Sequence, residues 1–368
     1  MHGERQYGTK RRTQAARLLV AGPDSRPWPG TPMTARSLYF TDPNALELRE
    51  TAVPEPAAGE VRVRTAASAI SAGTELLVYR GEVPESMAAD ETIDALDGDF
   101  EYPLQYGYAA VGRVTAVGND VNDNWLDRRV FGFNPHESHF VTTPTALREV
   151  PESLSDPEAA LLANAEAAVN FLLDGRPALG ERVAVFGQGV VGLLTTALLA
   201  ELPLETLVTV DGYERRRDLS ISLGADAAID PDDDLDVRFD GHEPPRGADL
   251  AYELSGQPDA LDDAIGVVGT AGEVVIGSWY GTKPMNLDLG GEFHRSRIRL
   301  QSSQVSTIDP IDRGRWSKER RLGEACRLLE RIDAERLITH RVPIEKADDA
   351  YRLLDERPRE AIGVLLTY

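Results

Sequence analysis

Short stretches of alternating apolar and polar residues fill the chain from Met33 to about Ser155. Over residues 60–66, Val61 and Val63 fall on one face and Arg62 and Arg64 on the other, the period of two that a half-buried strand requires. Residues 35–40, 108–117, 128–133, 138–142 and 146–150 carry further strand patterns. The Gly and Pro residues between them punctuate a compact β barrel or sandwich. From about Pro157 the period changes. Ser155, Asp156 and Glu158 form a helix start, with Glu158 at a capping-box position. Strands at 182–186, 206–210, 249–254, 273–276 and 297–301 then alternate with helices at 190–202, 213–223 and 259–267. That alternation predicts an α/β unit with a parallel, doubly wound sheet. Past residues 303–315 the rhythm stops. A helix at 318–332, a short segment at 338–342, a helix at 345–355 and a strand at 362–367 are expected to fold back onto the β-rich part.

The 368 residues suit two domains, and a hydrophobic content of 42% can bury a sizeable core. No run approaches the roughly 18 apolar residues of a membrane span. Residues 1–32 are Arg-rich, lack the apolar core of a secretory signal and carry Pro23, Pro27, Pro29 and Pro32. They are expected to form a disordered extension. The acidic run from Asp230 to Asp236 is expected to be a solvated loop.

Charge narrows the partners. The net charge is -22, from 61 acidic and 39 basic residues, and only Lys10, Lys283, Lys318 and Lys346 are lysines. Such self-repulsion argues against nucleic acid and anionic membranes. Dense carboxylates with few lysines are also what adaptation to molar salt produces, since screening there removes most of the repulsion. The single cysteine, Cys326, excludes an internal disulfide and a multi-cysteine zinc site. It is expected to be a buried structural thiol in a cytoplasmic protein.

The candidate chemistry begins after the strand at 182–186. It runs into Gly187, Gln188, Gly189, Val190, Val191 and Gly192, a G-x-G-x-x-G loop that opens a helix. The first glycine permits a tight turn, the second admits a pyrophosphate to the backbone, and the third lets helix and strand pack closely. Unpaired N–H groups and the positive helix end then meet the anion. Asp211 closes the next strand 19 residues beyond Gly192, where an acid accepts the ribose hydroxyls. It favours NAD, because a 2′-phosphate would be repelled there. Arg216, between Arg215 and Arg217, leaves NADP open.

Other polar residues stand out. Glu166 interrupts the apolar run 163–169, and a buried carboxylate there must find a partner or reach a cleft. A raised pKa would suit it to acid/base work, with Asn170 one turn on to orient substrate. His136 and His139 form a metal pair, a polar cleft wall or a surface turn.

Over nearly all of 33–368 the chain resembles the medium-chain dehydrogenase/reductase superfamily. The resemblance rests on Gly187 to Gly192, Asp211, residues 220–226, residues 249–256, residues 272–277 and the closing 343–351. It implies a GroES-like β domain (33–157 and 304–368) split around a Rossmann domain (158–303). It also implies a nicotinamide side lined by Ser255, Gly256, Gly277 and Ser278, and a homo-oligomer. Zinc-dependent members carry Cys-Gly-Thr-Asp and Gly-His-Glu. Here those runs read Ala72-Gly73-Thr74-Glu75 and Gly107-Tyr108-Ala109, so thiolate and imidazole are both missing and no catalytic zinc is expected. Residues 71–75, 164–170 and 293–304 resemble a zinc-lacking branch labelled bacteriochlorophyllide-dehydrogenase-like. By the same resemblance Thr74 stands where a relay hydroxyl lies, or caps a helix. Tyr108 stands in place of a zinc-binding histidine, to bind a substrate oxygen or to fill the vacated pocket.

The expected activity is therefore zinc-independent, NAD(P)-dependent hydride transfer between an alcohol and a carbonyl, with Thr74, Tyr108 and Glu166 as proton-handling candidates. Reduction of an activated C=C bond and non-catalytic dinucleotide sensing are the alternatives.

Overall fold

The computed structural model describes residues 34–84, 87–88, 93–96, 98–233 and 247–368. The expected extension at 1–32 and part of the acidic run, 234–236, lie outside these residues.

The β-rich part opens with a hairpin, β1 (Thr34–Asp42) paired antiparallel with β2 (Ala45–Ala52). The alternation pattern misses β2, because none of its residues is fully buried. β3 (Val61–Ile70) follows, then α1 (Ala72–Arg80), β4 (Ala110–Val117), β5 (Arg129–Gly132), β6 (His139–Thr142) and β7 (Leu147–Glu149). Ser155 starts α2 (Asp156–Ala159) with both bonds of the predicted capping box. The helix α3 (Leu162–Gly175) then leads into the alternating unit.

That unit comprises β8 (Arg182–Phe186), α4 (Val190–Leu199), β9 (Thr206–Val210), α5 (Glu214–Ser222), β10 (Ala227–Ile229), β11 (Ala248–Glu253), α6 (Pro258–Val267), β12 (Val268–Ile276), α7 (Glu292–Arg295) and β13 (Arg299–Ser302). Its strands pair in parallel in the order β10-β9-β8-β11-β12-β13. Chain order reverses between β8 and β11, which opens a crevice at their carboxyl ends. Every residue of β8 is buried, as a central parallel strand covered by helices on both faces requires.

Then come α8 (Lys318–Arg331), β14 (Ile338–Pro343), α9 (Ala347–Glu356) and β15 (Gly363–Thr367). β15 pairs with β3, so the tail rejoins a second sheet of order β14-β15-β3-β4-β5-β7, with β6 also on β3. Residues 34–368 hold together as one unit.

A polar stripe on α3 joins the two lobes. Glu166, Asn170 and Asp174 recur every four residues and share one helix face. Arg321 of α8, with no exposed surface, donates Nε and Nη2 to Glu166 Oε1 at 2.9 and 2.8 Å. It also donates to Asn170 Oδ1 at 2.5 Å and to the carbonyls of Thr307 and Val305. Asn170 Nδ2 in turn reaches Asp174 Oδ2 and Ser303 Oγ, each at 2.9 Å.

Candidate active site

The sharp turn after β8 is built by Gly187, at φ +87. A Cβ there would lie 2.6 Å from Ser255 Cα, so glycine is what lets the loop pass the end of β11. At Gly192 a Cβ would meet the Gly187 carbonyl oxygen at 1.9 Å, which fixes the close approach of α4 to the loop. Gly189 differs, because a Cβ there meets nothing within 4 Å. It caps α4, and the N–H groups of Val190, Val191 and Gly192 occupy the first turn, where a helix offers no internal acceptor. Gln188 turns inward: Nε2 donates to the Val185 and Gly187 carbonyls, and Oε1 accepts from Thr196 Oγ1 at 3.0 Å. Its side chain braces the loop from inside, and the residue has no exposed surface.

Asp211 ties this loop to the end of β9. Oδ2 accepts from the Gln188 N–H at 2.7 Å and Oδ1 from the Tyr213 N–H at 2.8 Å. A carboxylate offers about four acceptor sites, so capacity for a diol remains. The loop has the open space, the donors and the acid that a dinucleotide needs, and Gly187, Gly189, Gly192 and Asp211 are the residues that would hold it.

Arg216 goes elsewhere than expected. It stacks over Tyr213, 4.7 Å from the ring centroid, and Nη2 donates to the carbonyls of Pro358 and Ala361, both at 2.9 Å. Nη1 stays 3.8 Å from Asp211 Oδ2. The arginine thus joins α5 to the tail of the β-rich lobe, and the sequence, lacking residues 358–361 as neighbours, could not show it.

Ser255 and Gly277 frame the other side of the crevice through a residue the sequence reading missed. Glu253 ends β11 with no exposed surface and accepts from the Ser255 N–H at 2.7 Å, from Ser255 Oγ and from the Tyr280 hydroxyl. The Gly277 N–H donates to the Glu253 carbonyl at 3.0 Å, and Ser278 Oγ accepts from the Gly256 N–H at 2.8 Å. One buried carboxylate therefore pins the turns after β11 and β12. A cavity of about 660 Å³, lined by Asp174, Arg176, Asp249, Glu273 and Arg299 among others, opens at the opposite, N-terminal strand ends and is no part of this site.

On the β-rich side, β3 delivers Ser71 to the start of α1. The Ser71 N–H donates to Glu75 Oε1, one turn on, at 2.7 Å. Glu75 is fully buried, and Oε2 also meets His136 Nε2 at 2.9 Å and the Tyr351 hydroxyl. Burial, and then the Glu75 carboxylate, hold the Tyr351 phenol well above its ordinary pKa, so it stays a donor. His136 Nδ1 lies 2.7 Å from Ser68 Oγ, which lies 2.7 Å from the Tyr368 hydroxyl. At Gly107 a Cβ would stand 2.6 Å from His136 Nε2, so only glycine lets the backbone cross the ring. The next residue, half-buried Tyr108, donates its hydroxyl to Ser71 Oγ at 2.6 Å. Thr74 sits half-buried in the first turn of α1, and its hydroxyl has no partner among the described residues.

Two expectations need correction. Glu166 does not offer a free carboxylate: Arg321 binds its Oε1 twice. His136 is neither half of a metal pair nor part of a surface turn, since both ring nitrogens are engaged inside the lobe. His139 is half-buried, and burial, then Arg62, Arg64 and Arg36, lower its pKa. Cys326 is buried on α8, where Arg148 Nε donates to its sulfur at 3.4 Å.

Residues 190–322 match the family model described as zinc-binding dehydrogenase. The D-guloside 3-dehydrogenase of Escherichia coli K12 is 25% identical over 350 residues, covering 90% of this chain and all of that protein. The 2-desacetyl-2-hydroxyethyl bacteriochlorophyllide A dehydrogenase of Rhodobacter capsulatus is 26% identical over 341 residues, 89% of this chain and 96% of that one. Among solved structures, a protein described as a short chain alcohol dehydrogenase (rspB) of E. coli CFT073, complexed with NADH, superposes with a TM-score of 0.72. It is 21% identical and covers 91% of this chain and 99% of its own. The fold is that of the zinc-binding dehydrogenases. These likenesses support an oxidoreductase that uses NAD(P).

The donor set does not fit the zinc of those dehydrogenases. By the resemblance read from the sequence, Ala72 and Tyr108 answer to two zinc-ligand positions, and they supply neither thiolate nor imidazole. Among the described residues no group of three or more His, Cys, Asp or Glu could hold a metal. Nor, among them, is any helix long and apolar enough to cross a membrane.

Proposed function

We propose that the chain is a zinc-independent, NAD(P)-dependent oxidoreductase that moves hydride to or from an alcohol/carbonyl pair held between the lobes. The observation that carries this is the Tyr108 hydroxyl 2.6 Å from Ser71 Oγ, with the free Thr74 hydroxyl in the same turn of α1. Bound nicotinamide supplies hydride exchange at its C4. In the reducing direction Tyr108 gives its proton to the substrate oxygen, and Ser71 Oγ and Thr74 orient that oxygen. Asp211 favours NAD, and Arg216, held by two backbone carbonyls, adds no site for a 2′-phosphate.

Product analysis with C4-deuterated NADH tests the proposal. Deuterium on a carbinol carbon supports it; deuterium on a former alkene carbon would make the chain a reductase of activated C=C bonds. Tight NADH binding with no turnover across carbonyl, quinone and enoyl panels would make it a sensor.

The proposal includes a cytoplasmic homo-oligomer of the zinc-lacking, bacteriochlorophyllide-dehydrogenase-like branch, adapted to high salt. At 1 M salt the Debye length is about 3 Å, so repulsion across a surface of net charge -22 is largely screened. The melting temperature should rise from low to molar KCl, and no rise would remove the salt adaptation.

A further inference from the structure

The order of the strands sets the direction in which a dinucleotide on the glycine loop extends. Neighbouring strands run β9-β8-β11-β12. With its adenosine half turned towards Asp211 at the end of β9, the other half crosses the ends of β11 and β12. Ser255 passes directly against Gly187 there, so close that a Cβ on the glycine would lie 2.6 Å from Ser255 Cα. Ser255, Gly256, Gly277 and Ser278 are all half-buried and line this part of the crevice.

Behind that lining lies a carboxylate with no exposed surface, Glu253. Its Oε1 accepts from the Ser255 N–H at 2.7 Å and from Ser255 Oγ, and its Oε2 accepts from the Tyr280 hydroxyl. All three donors are neutral, so they hold the carboxylate without cancelling its charge. Burial, and then the Glu253 carboxylate, keep the Tyr280 phenol well above its ordinary pKa, which leaves it a donor. A positive charge reaches the same turn from Lys283, which is half-buried and donates Nζ to the Gly256 carbonyl at 2.8 Å. It lies within electrostatic reach of Glu253.

We propose that Glu253 sets the balance between the two forms of the bound cofactor. Its fixed negative charge favours the oxidised, positively charged nicotinamide over the neutral reduced one, and Lys283 opposes it. This rests on the NAD(P)-dependent reading above. The two forms are nearly alike in shape and differ by one unit of positive charge on the ring. A permanent charge behind the backbone that lines the crevice therefore discriminates them, because little water screens it. A site that holds the oxidised form more tightly draws the bound reaction towards carbonyl reduction, in which hydride and a proton pass to the carbonyl and alcohol is formed. Glu253 is thus a positioning residue for the turns and a source of field for the ring.

The test is the ratio of the NADH and NAD⁺ dissociation constants, by fluorescence and calorimetric titration without substrate. Wild type is compared with Glu253→Gln and Lys283→Met. Glu253→Gln keeps the acceptor for Ser255, and its amide can donate to the Tyr280 hydroxyl in return. A unit charge acting at about 10 Å through an effective dielectric of about 20 corresponds to on the order of tenfold in affinity. Glu253→Gln should therefore weaken NAD⁺ about tenfold and NADH less than about twofold, and Lys283→Met should shift the ratio the other way. Equal weakening of both forms in Glu253→Gln would make the residue a structural brace alone and overturns the proposal. If Glu253→Gln does not fold, Lys283→Met decides: NAD⁺ gaining on NADH supports the proposal, and an unchanged or opposite ratio overturns it. Should wild type bind neither form, the dinucleotide reading falls and this proposal with it, whereas normal binding with unshifted ratios removes this proposal only.

Discussion

His136 Nε2 lies 2.9 Å from Glu75 Oε2, and neither side chain has any exposed surface. Three groups converge on that carboxylate: the Ser71 N–H, the Tyr351 hydroxyl and the His136 ring. The carboxylate therefore fixes the backbone of Ser71, whose Oγ receives Tyr108.

His136→Leu removes a partner from Glu75 and from Ser68 at once. It should cost about 3 kcal/mol, because buried polar groups are left without bonds. Glu75→Gln keeps an acceptor for the Ser71 N–H and should cost less than Glu75→Ala. Urea unfolding measures all three. A loss below about 1 kcal/mol for His136→Leu would show that the pair is not a structural support of the site.

Arg321 and Glu166 permit a sharper test, since Arg321 binds the Glu166 carboxylate twice inside the fold. Arg321→Met leaves Glu166 buried without its partner, at a cost of about 3–5 kcal/mol. Adding Glu166→Leu should recover much of that loss, as replacing both members of a buried pair often does. If the double variant were as unstable as the single one, the two side chains would not be energetically coupled. NADH binding by the double variant should match wild type.

The contrast between these residues and the glycine loop shows where the sequence is legible. Gly187 to Gly192 and Asp211 are local signals: a strand, a turn and a helix succeed one another, and each glycine has a steric duty set by immediate neighbours. The capping box at Ser155 is legible for the same reason. Glu75 and His136 are 61 residues apart, and they meet only because His136 enters the lobe just before β6 pairs with β3. Glu166 meets an arginine 155 residues on, so its sequence context shows a carboxylate in need and not which residue answers it. Glu253 was hidden differently: it ends a strand, and its two hydroxyl donors bond to it only once the turns after β11 and β12 close.

His139 gives a pH dependence with a definite sign. Burial and three arginines lower its folded-state pKa below the ordinary His value. The unfolded chain then takes up a proton before the folded one does, so this contribution is full above the unfolded pKa of about 6.5 and is lost as pH falls through the folded value. His139→Gln should therefore lose less thermal stability than wild type between neutral and mildly acidic pH. Parallel melting curves across that range would count against the assignment.

Gly189 and Gly192 separate the cofactor's space from the loop's own packing. Gly192→Ala drives a Cβ against the Gly187 carbonyl, so it should lower both thermal stability and NADH affinity. At Gly189 the backbone has an ordinary φ of -71, and a Cβ meets no protein atom within 4 Å. Gly189→Ala should therefore fold as well as wild type. Yet its methyl group would stand where a pyrophosphate approaches the N–H groups of α4, and displacing that contact by about 1.4 kcal/mol lowers affinity tenfold. Fluorescence titration with NADH, beside a melting curve, measures both effects. Wild-type affinity in Gly189→Ala would mean that the dinucleotide does not lie against this loop.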